Sequence, residues 1–309
     1  MRSISSKFNG HVGVAVALVA GVAAVGCGGS DPTPDAPADV VGFAPPTKSL
    51  KANKETAPNM WVEDGAADLS CLNTPNSDMP TTMASKLMTK VEDFQTSSIV
   101  AAATVSIFTT DPATVASTAV SDGTGNLLID VPTGTKRFGF KMKADGSMDT
   151  LLVNQYLKTD VAVHTAPAEI AIVSQGTANA LPALIGVTRT PGLGVIAGAL
   201  RDCQGREISN FIATVSSTKS TTTRLPNAPT YYFSPTLKTP ARNKLQPSAS
   251  GNGLFMVIEI QPQASTYVQM WGYPTDADLA AGSLKLIAEL PVPVIAETIV
   301  TGSFEPLRQ

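Results

Sequence analysis

Apolar residues in this chain recur at every second position in short runs, and Gly, Pro, Asn or Asp closes nearly every run. Arg137-Phe138-Gly139-Phe140-Lys141-Met142 alternates without a break before Ala144-Asp145-Gly146 turns the chain. Period two belongs to a strand, because successive side chains leave opposite faces of a sheet. Runs of the same kind stand at 87–91, 103–108, 127–131 and 150–156, then again at 194–200, 213–217, 254–260, 267–273, 284–290 and 298–304. With 23 Pro and 24 Gly cutting 309 residues at short intervals, the pattern predicts many short strands joined by turns, an all-β chain.

The pattern occurs twice. Asp93 precedes Thr104-Val105 much as Asp202 precedes Thr214-Val215, and each half continues into a Gly-rich turn, Ser121 to Asn126 and Ser250 to Gly253. Long-period self-similarity predicts two modules, one over 59–173 and one over 194–309. The connector 174–193 carries Ser174, placed to cap a short helix running to Leu184 and acting as a spacer. The second module holds an insert at 219–247. The motif residues in the first half are Ala103-Thr104-Val105, then Ser121-Asp122-Gly123-Thr124-Gly125-Asn126-Leu127 running on to Gly134, then Ala144-Asp145-Gly146. Together with Gly198-Ala199-Leu200-Arg201-Asp202 in the second half, they resemble the carboxypeptidase regulatory-like family. The resemblance implies a prealbumin-type (transthyretin-like) β-sandwich in each half, used as a stalk, accessory or ligand-binding module, and it transfers no catalytic residue. The first half lacks the family's opening Gly. The motifs are turn chemistry and specify fold more than function.

The N-terminus reads as an address. Arg2 and Lys7 precede an apolar run of small residues over 12–25, too short for a comfortable permanent span. The run ends at Ala24-Val25-Gly26-Cys27, which resembles a bacterial lipobox. That resemblance implies a signal peptide over 1–26 and lipidation of Cys27, hence a membrane partner through an N-terminal lipid anchor; Gly28 after the Cys favours the outer membrane. An ordinary signal cleaved nearby, leaving Cys27 free, is the alternative. Residues 27–58 are rich in Pro, Ala, Asp and Lys and read as a disordered tether. In an oxidising compartment Cys71 and Cys203 either form a bridge clamping the two modules together or stay as two buried thiols.

Composition then removes function classes. Net charge is −3, and loss of Arg2 and Lys7 with the signal makes it more negative; no basic stripe with interleaved aromatics is present, so nucleic acid is not an expected partner. Of two histidines, His11 lies in the signal, which leaves His164 alone for any zinc site or Ser-His-Asp triad. The acids Glu63, Asp64, Asp130, Asp149, Glu259 and Glu289 are scattered, Glu259 within an apolar strand. Asp122 to Asn126 lacks the alternating acids of a calcium loop and reads as a β-turn. No metal, cofactor or catalytic residue is predicted. The binding candidates are Tyr231 and Tyr232 in the insert and Trp271 and Tyr273, although Trp271 and Tyr273 share one face of a strand and fit the core as well. The expected role is a non-enzymatic structural or adhesive envelope module. A carbohydrate- or peptide-binding protein, with envelope glycans or proteins as partners, is the second reading, and an envelope hydrolase the third.

Overall fold

In the computed structural model, the described residues are 44–236, 238–243 and 245–308. The signal segment, Cys27 and the chain up to residue 43 lie outside them. The tether predicted to run to residue 58 ends sooner. Strand β1 (Lys51–Ala57) pairs with β2 (Met60–Ala66), and Leu50, just before it, is fully buried. The sequence Lys51-Ala52-Asn53-Lys54-Glu55 shows little apolar alternation, because its buried positions are Ala52 and the polar Asn53, whose Nδ2 donates to the Ser209 hydroxyl at 3.1 Å.

The first half contains β3 (Ser85–Asp93), β4 (Thr104–Phe108), β5 (Ser117–Val120), β6 (Asn126–Val131), β7 (Phe138–Lys143), β8 (Asp149–Gln155) and β9 (Val163–Ile172). Helix α1 (Gln175–Leu184) follows. The second half contains β10 (Gly194–Leu200), β11 (Glu207–Ser209), β12 (Ile212–Ser216), β13 (Thr230–Phe233), β14 (Pro240–Ala241), β15 (Leu254–Ile260), β16 (Gln263–Gly272), α2 (Asp276–Ala280), β17 (Lys285–Val294) and β18 (Thr298–Phe304). The all-β class expected from the period-two runs is the class found. The insert at 219–247 is partly sheet, since β13 and β14 extend it.

One nine-stranded sheet, ordered β14-β13-β15-β10-β18-β8-β7-β4-β5, runs through both halves. The seam is β18, parallel to β10 on one side and to β8 on the other, with Val300 opposite both Ile196 and Leu151. Two separate modules joined by a spacer would keep their sheets apart; here they share one. The sheet is covered on opposite faces in its two halves. Over β8, β7 and β4 lies the three-stranded sheet β6-β3-β9, with Leu87, Ile129, Phe140, Leu152 and Ile170 between the layers. On the other face, over β15, β10 and β18, lies β12-β16-β17, enclosing Ile196, Phe255, Val268, Met270 and Val300.

This arrangement explains two kinds of strand. β3 has a solvent face and alternates strictly, with Ser85, Leu87, Thr89, Val91 and Asp93 buried. β13 and β15 are buried on nearly every residue, so their sequences read as apolar runs. Gly198 sits where the seam strands approach closely: a Cβ there would come 2.4 Å from the Gly302 carbonyl oxygen and 2.7 Å from the Phe304 ring.

The helix expected from Ser174 forms, with the Ser174 hydroxyl accepting from the Thr177 amide at 3.2 Å. It is no spacer, because Ala178, Leu181 and Pro182 are buried against Val195, Met256 and Ile299 of the shared sheet.

The module bounds 59–173 assign β2 to the first half, but the ribbon β1-β2 packs on the second. β1 pairs with β11, Leu50 enters the second-half core, and its amide donates to the Tyr273 carbonyl at 2.8 Å. Cys71 and Cys203 are bridged, with Cα atoms 5.8 Å apart. The bridge therefore ties the ribbon to the second half and does not clamp one module to the other. Beside it Asp202, fully buried, accepts from the Asp68 amide and from Arg206 Nε. Arg206 also reaches the Asp64 carbonyl.

Candidate functional site

The opposite-face arrangement leaves part of the shared sheet uncovered. Over β10 and β18, on the face turned away from β12-β16-β17, α1 packs toward one end, where Ala178 and Leu181 meet Val195 and Ile299. The rest is a partly open groove of about 210 Å³. Its floor is Ala197 and Ala199 of β10 with Thr301 and Ser303 of β18, small residues that leave the space empty. One wall is the end of β3 with β9, namely Glu92, Phe94, Glu169, Ile170 and Ala171. The facing wall is Trp61 of β2, Phe233, Lys238 and Leu254. Trp61 is placed by the Gly251 turn: a Cβ on that glycine would come 3.0 Å from the Trp61 Cβ.

The groove lining is mainly apolar, with charges around it. Lys90 pairs with Glu92 at 2.6 Å. Burial, reinforced by the neighbouring Glu92 carboxylate, pushes the Glu169 carboxyl above its ordinary pKa. Across the groove Arg201 pairs with Glu207 at 3.2 Å, and burial pushes the Glu207 carboxyl up as well, against the pull of Arg201. Burial lowers the Lys238 ammonium pKa to about 8, opposed by Glu55.

The binding candidates singled out in the sequence lie elsewhere. Tyr231, Tyr232, Trp271 and Tyr273 are all buried, so the expected ligand-binding aromatics are core residues. The Ala213 amide donates to the Tyr232 hydroxyl at 2.9 Å, and Trp271 Nε1 donates to the Thr214 hydroxyl at 3.2 Å. Tyr231 and Tyr232 lie on opposite faces of β13, and each face is covered: Tyr231 packs with Phe233 and Met256, Tyr232 with Phe211 and Phe255. Only Phe233, at the end of the same strand, reaches the groove. Cys71 and Cys203 form the bridge already described, and Cys27 lies outside the described residues.

His164 is buried in β9, its Nε2 has no hydrogen-bond partner, and burial pushes its pKa down. Glu259, at a positive φ of 62° where the β10–β15 register shifts, accepts from the Thr190 amide at 2.9 Å. Glu289 accepts from Gln269 Nε2 at 2.8 Å, and Asp130 pairs with Lys86. The repeated acids are turn builders. Asp93 Oδ1 accepts from the amides of Gln95 and Thr96, Asp202 Oδ1 from those of Gln204 and Arg206, and Asp122 Oδ1 from those of Thr124 and Asn126. Among the described residues no cluster of three His, Cys, Asp or Glu is placed to hold a metal ion.

Sequence reasoning missed the groove. The signal it left is the run Val195-Ile196-Ala197-Gly198-Ala199-Leu200, where one strand face carries Ile196 and Leu200 and the other, beyond Val195, carries Ala197 and Ala199. An alanine face on a central strand marks a place where nothing large packs.

No family model matches the chain, including one for the family its turn motifs resemble, and no curated protein matches it. Solved structures do match, at low similarity. The Bacillus anthracis TIE protein is 10% identical, over 72% of this chain and 34% of that one, with a TM-score of 0.24. The shaft pilin spaA from Lactobacillus rhamnosus GG is 10% identical, over 74% of this chain and 98% of that one, with a TM-score of 0.22. This chain thus corresponds to about a third of the TIE chain. The β-sandwich class rests on the strand pairing itself.

Proposed function

We propose that this is a lipid-anchored envelope protein whose fused β body is a non-catalytic binding module, with the groove over β10 and β18 holding an apolar partner. The observation that carries the reading is the groove: a mainly apolar, preformed concavity where two halves join, the usual setting of a binding site. The basic start, the short apolar run and Cys27 support the anchor and an envelope address. The bridge between Cys71 and Cys203 fits an oxidising compartment. The turn motifs support kinship with carboxypeptidase regulatory-like modules. Burial of Tyr231, Tyr232, Trp271 and Tyr273 takes the four rings expected to stack on a sugar out of reach and leaves Trp61, Phe94 and Phe233 as aromatics of the groove.

Two measurements test this together. Cells expressing the full chain and fed labelled palmitate incorporate label into the membrane-bound protein, and Cys27→Ala abolishes both label and membrane retention. The purified soluble body enhances the fluorescence of an apolar dye such as anilinonaphthalene sulfonate, and Ala197→Trp, which fills the groove floor, removes the enhancement. An unlabelled wild type, or dye binding indifferent to Ala197→Trp, defeats the corresponding half of the reading.

A further inference from the structure

The groove has a wall whose chemistry is more specific than apolar burial. Among the described residues β9 is the terminal strand of β6-β3-β9 and pairs with β3 on one side only. The Ile172 carbonyl accepts from the Phe94 amide at 2.8 Å, so Ile172 and, two residues earlier, Ile170 direct their backbone groups toward β3. Alternation then turns the N–H and C=O of Glu169 and Ala171 toward the open edge. Glu169, Ile170 and Ala171 all line the groove, as three consecutive residues can only when the strand presents its edge.

We propose that the groove accepts an extended polypeptide strand from a partner protein, which adds to β6-β3-β9 as a fourth strand beside β9. This rests on the groove being a binding site and names what fills it. A strand about 4.8 Å beyond β9 lies above β18 and β10. Its inward side chains, level with Ile170, fill the space that Ala197, Ala199, Thr301 and Ser303 leave open. Its outward side chains lie beside Glu169, whose carboxyl has Lys90 and Glu92 as charged neighbours. The segment that fits therefore alternates apolar residues with polar ones and carries a Lys or Arg next to Glu169.

The test is a random-peptide display library panned on the immobilised soluble body and counter-selected on Ala197→Trp. Enriched peptides are then titrated against the wild type by Trp61 fluorescence. Expected are alternating apolar sequences with a basic residue, binding weakened about tenfold by Ala171→Pro, which removes one outward N–H, and severalfold by Glu169→Lys. If Ala171→Pro lowers the melting temperature by more than a few degrees, N-methylation of alternate peptide residues replaces it and must abolish binding in one register only. Failure to enrich any groove-dependent peptide overturns the proposal, as does occupation by palmitate alone. Peptides that need an empty floor yet ignore both Ala171→Pro and N-methylation overturn strand addition and leave groove binding standing. Peptides indifferent to Ala197→Trp overturn both.

Discussion

Removal of the Cys71–Cys203 bridge tests where the N-terminal ribbon belongs. The bridge closes a loop over a sequence separation of 132 residues. Chain-entropy reasoning puts the stabilisation from a loop of that length at about 5 kcal/mol at 25 °C, and measured bridges commonly deliver about 2–4. What remains after reduction is considerable. Leu50 stays buried, worth about 2 kcal/mol, β1 keeps its pairing with β11, and Arg206 still bonds the Asp64 carbonyl and Asp202. The reduced protein should therefore stay folded and lose about 2–5 kcal/mol of equilibrium stability. Urea unfolding of the wild type with and without reductant, and of the Cys71→Ser/Cys203→Ser double variant, reads the loss directly. The slope should rise slightly on reduction, because the unfolded chain is no longer looped. Hydrogen exchange then locates the change: amides of 51–66 should lose protection first, while those of β8 and β18 keep theirs. Unaltered stability, or β8 and β18 opening before the ribbon, would refute the assignment of the bridge to ribbon and second half.

Other consequences are testable in the same preparations. Because one sheet crosses both halves, calorimetry should show a single transition, and Leu151→Ala at the seam should lower stability by about 2–5 kcal/mol without splitting it; two separated transitions would contradict the shared sheet. Asp202→Ala leaves Arg206 without its buried carboxylate and frees two turn amides, so a loss of about 3–5 kcal/mol is expected in the same urea titration. For Lys238 the folded pKa of about 8 lies below the ordinary lysine value. Its contribution to stability is therefore complete above about pH 10.5 and is lost as pH falls through about 8. Lys238→Met should remove that pH dependence and stabilise the protein at pH 7; an unchanged difference between pH 7 and 10 would show that the amine does not titrate as its burial implies.

The sequence made strand positions legible and left their assembly largely hidden. Strict alternation in β3 and β7, the Ser174 cap and the Asp-led turns are local chemistry, and each stands where the residues placed it. Sheet membership is not local. β18 reads the same whether it closes one sandwich or joins two, since Thr298-Ile299-Val300 is equally apt to pair with β8 or with an edge of its own half. Residues 51–57 read as tether for the opposite reason: the buried positions of this strand are Ala52 and the polar Asn53, so its backbone partners reveal it where its composition does not. The groove stayed invisible because it consists of what is missing above Ala197 and Ala199, and composition signals presence better than absence.

Docking of the ribbon on β11 also orders events during synthesis. The partners of Lys51, Ala52 and Asn53 are Ser209, Ile208 and Glu207, more than 150 residues further along. A chain delivered N-terminus first must thus present its opening strand, and an unoxidised Cys71, for as long as it takes the whole first half to emerge. The staple closes only once Cys203 has also emerged, so a thiol-trapping reagent present during synthesis has one long window in which to catch Cys71.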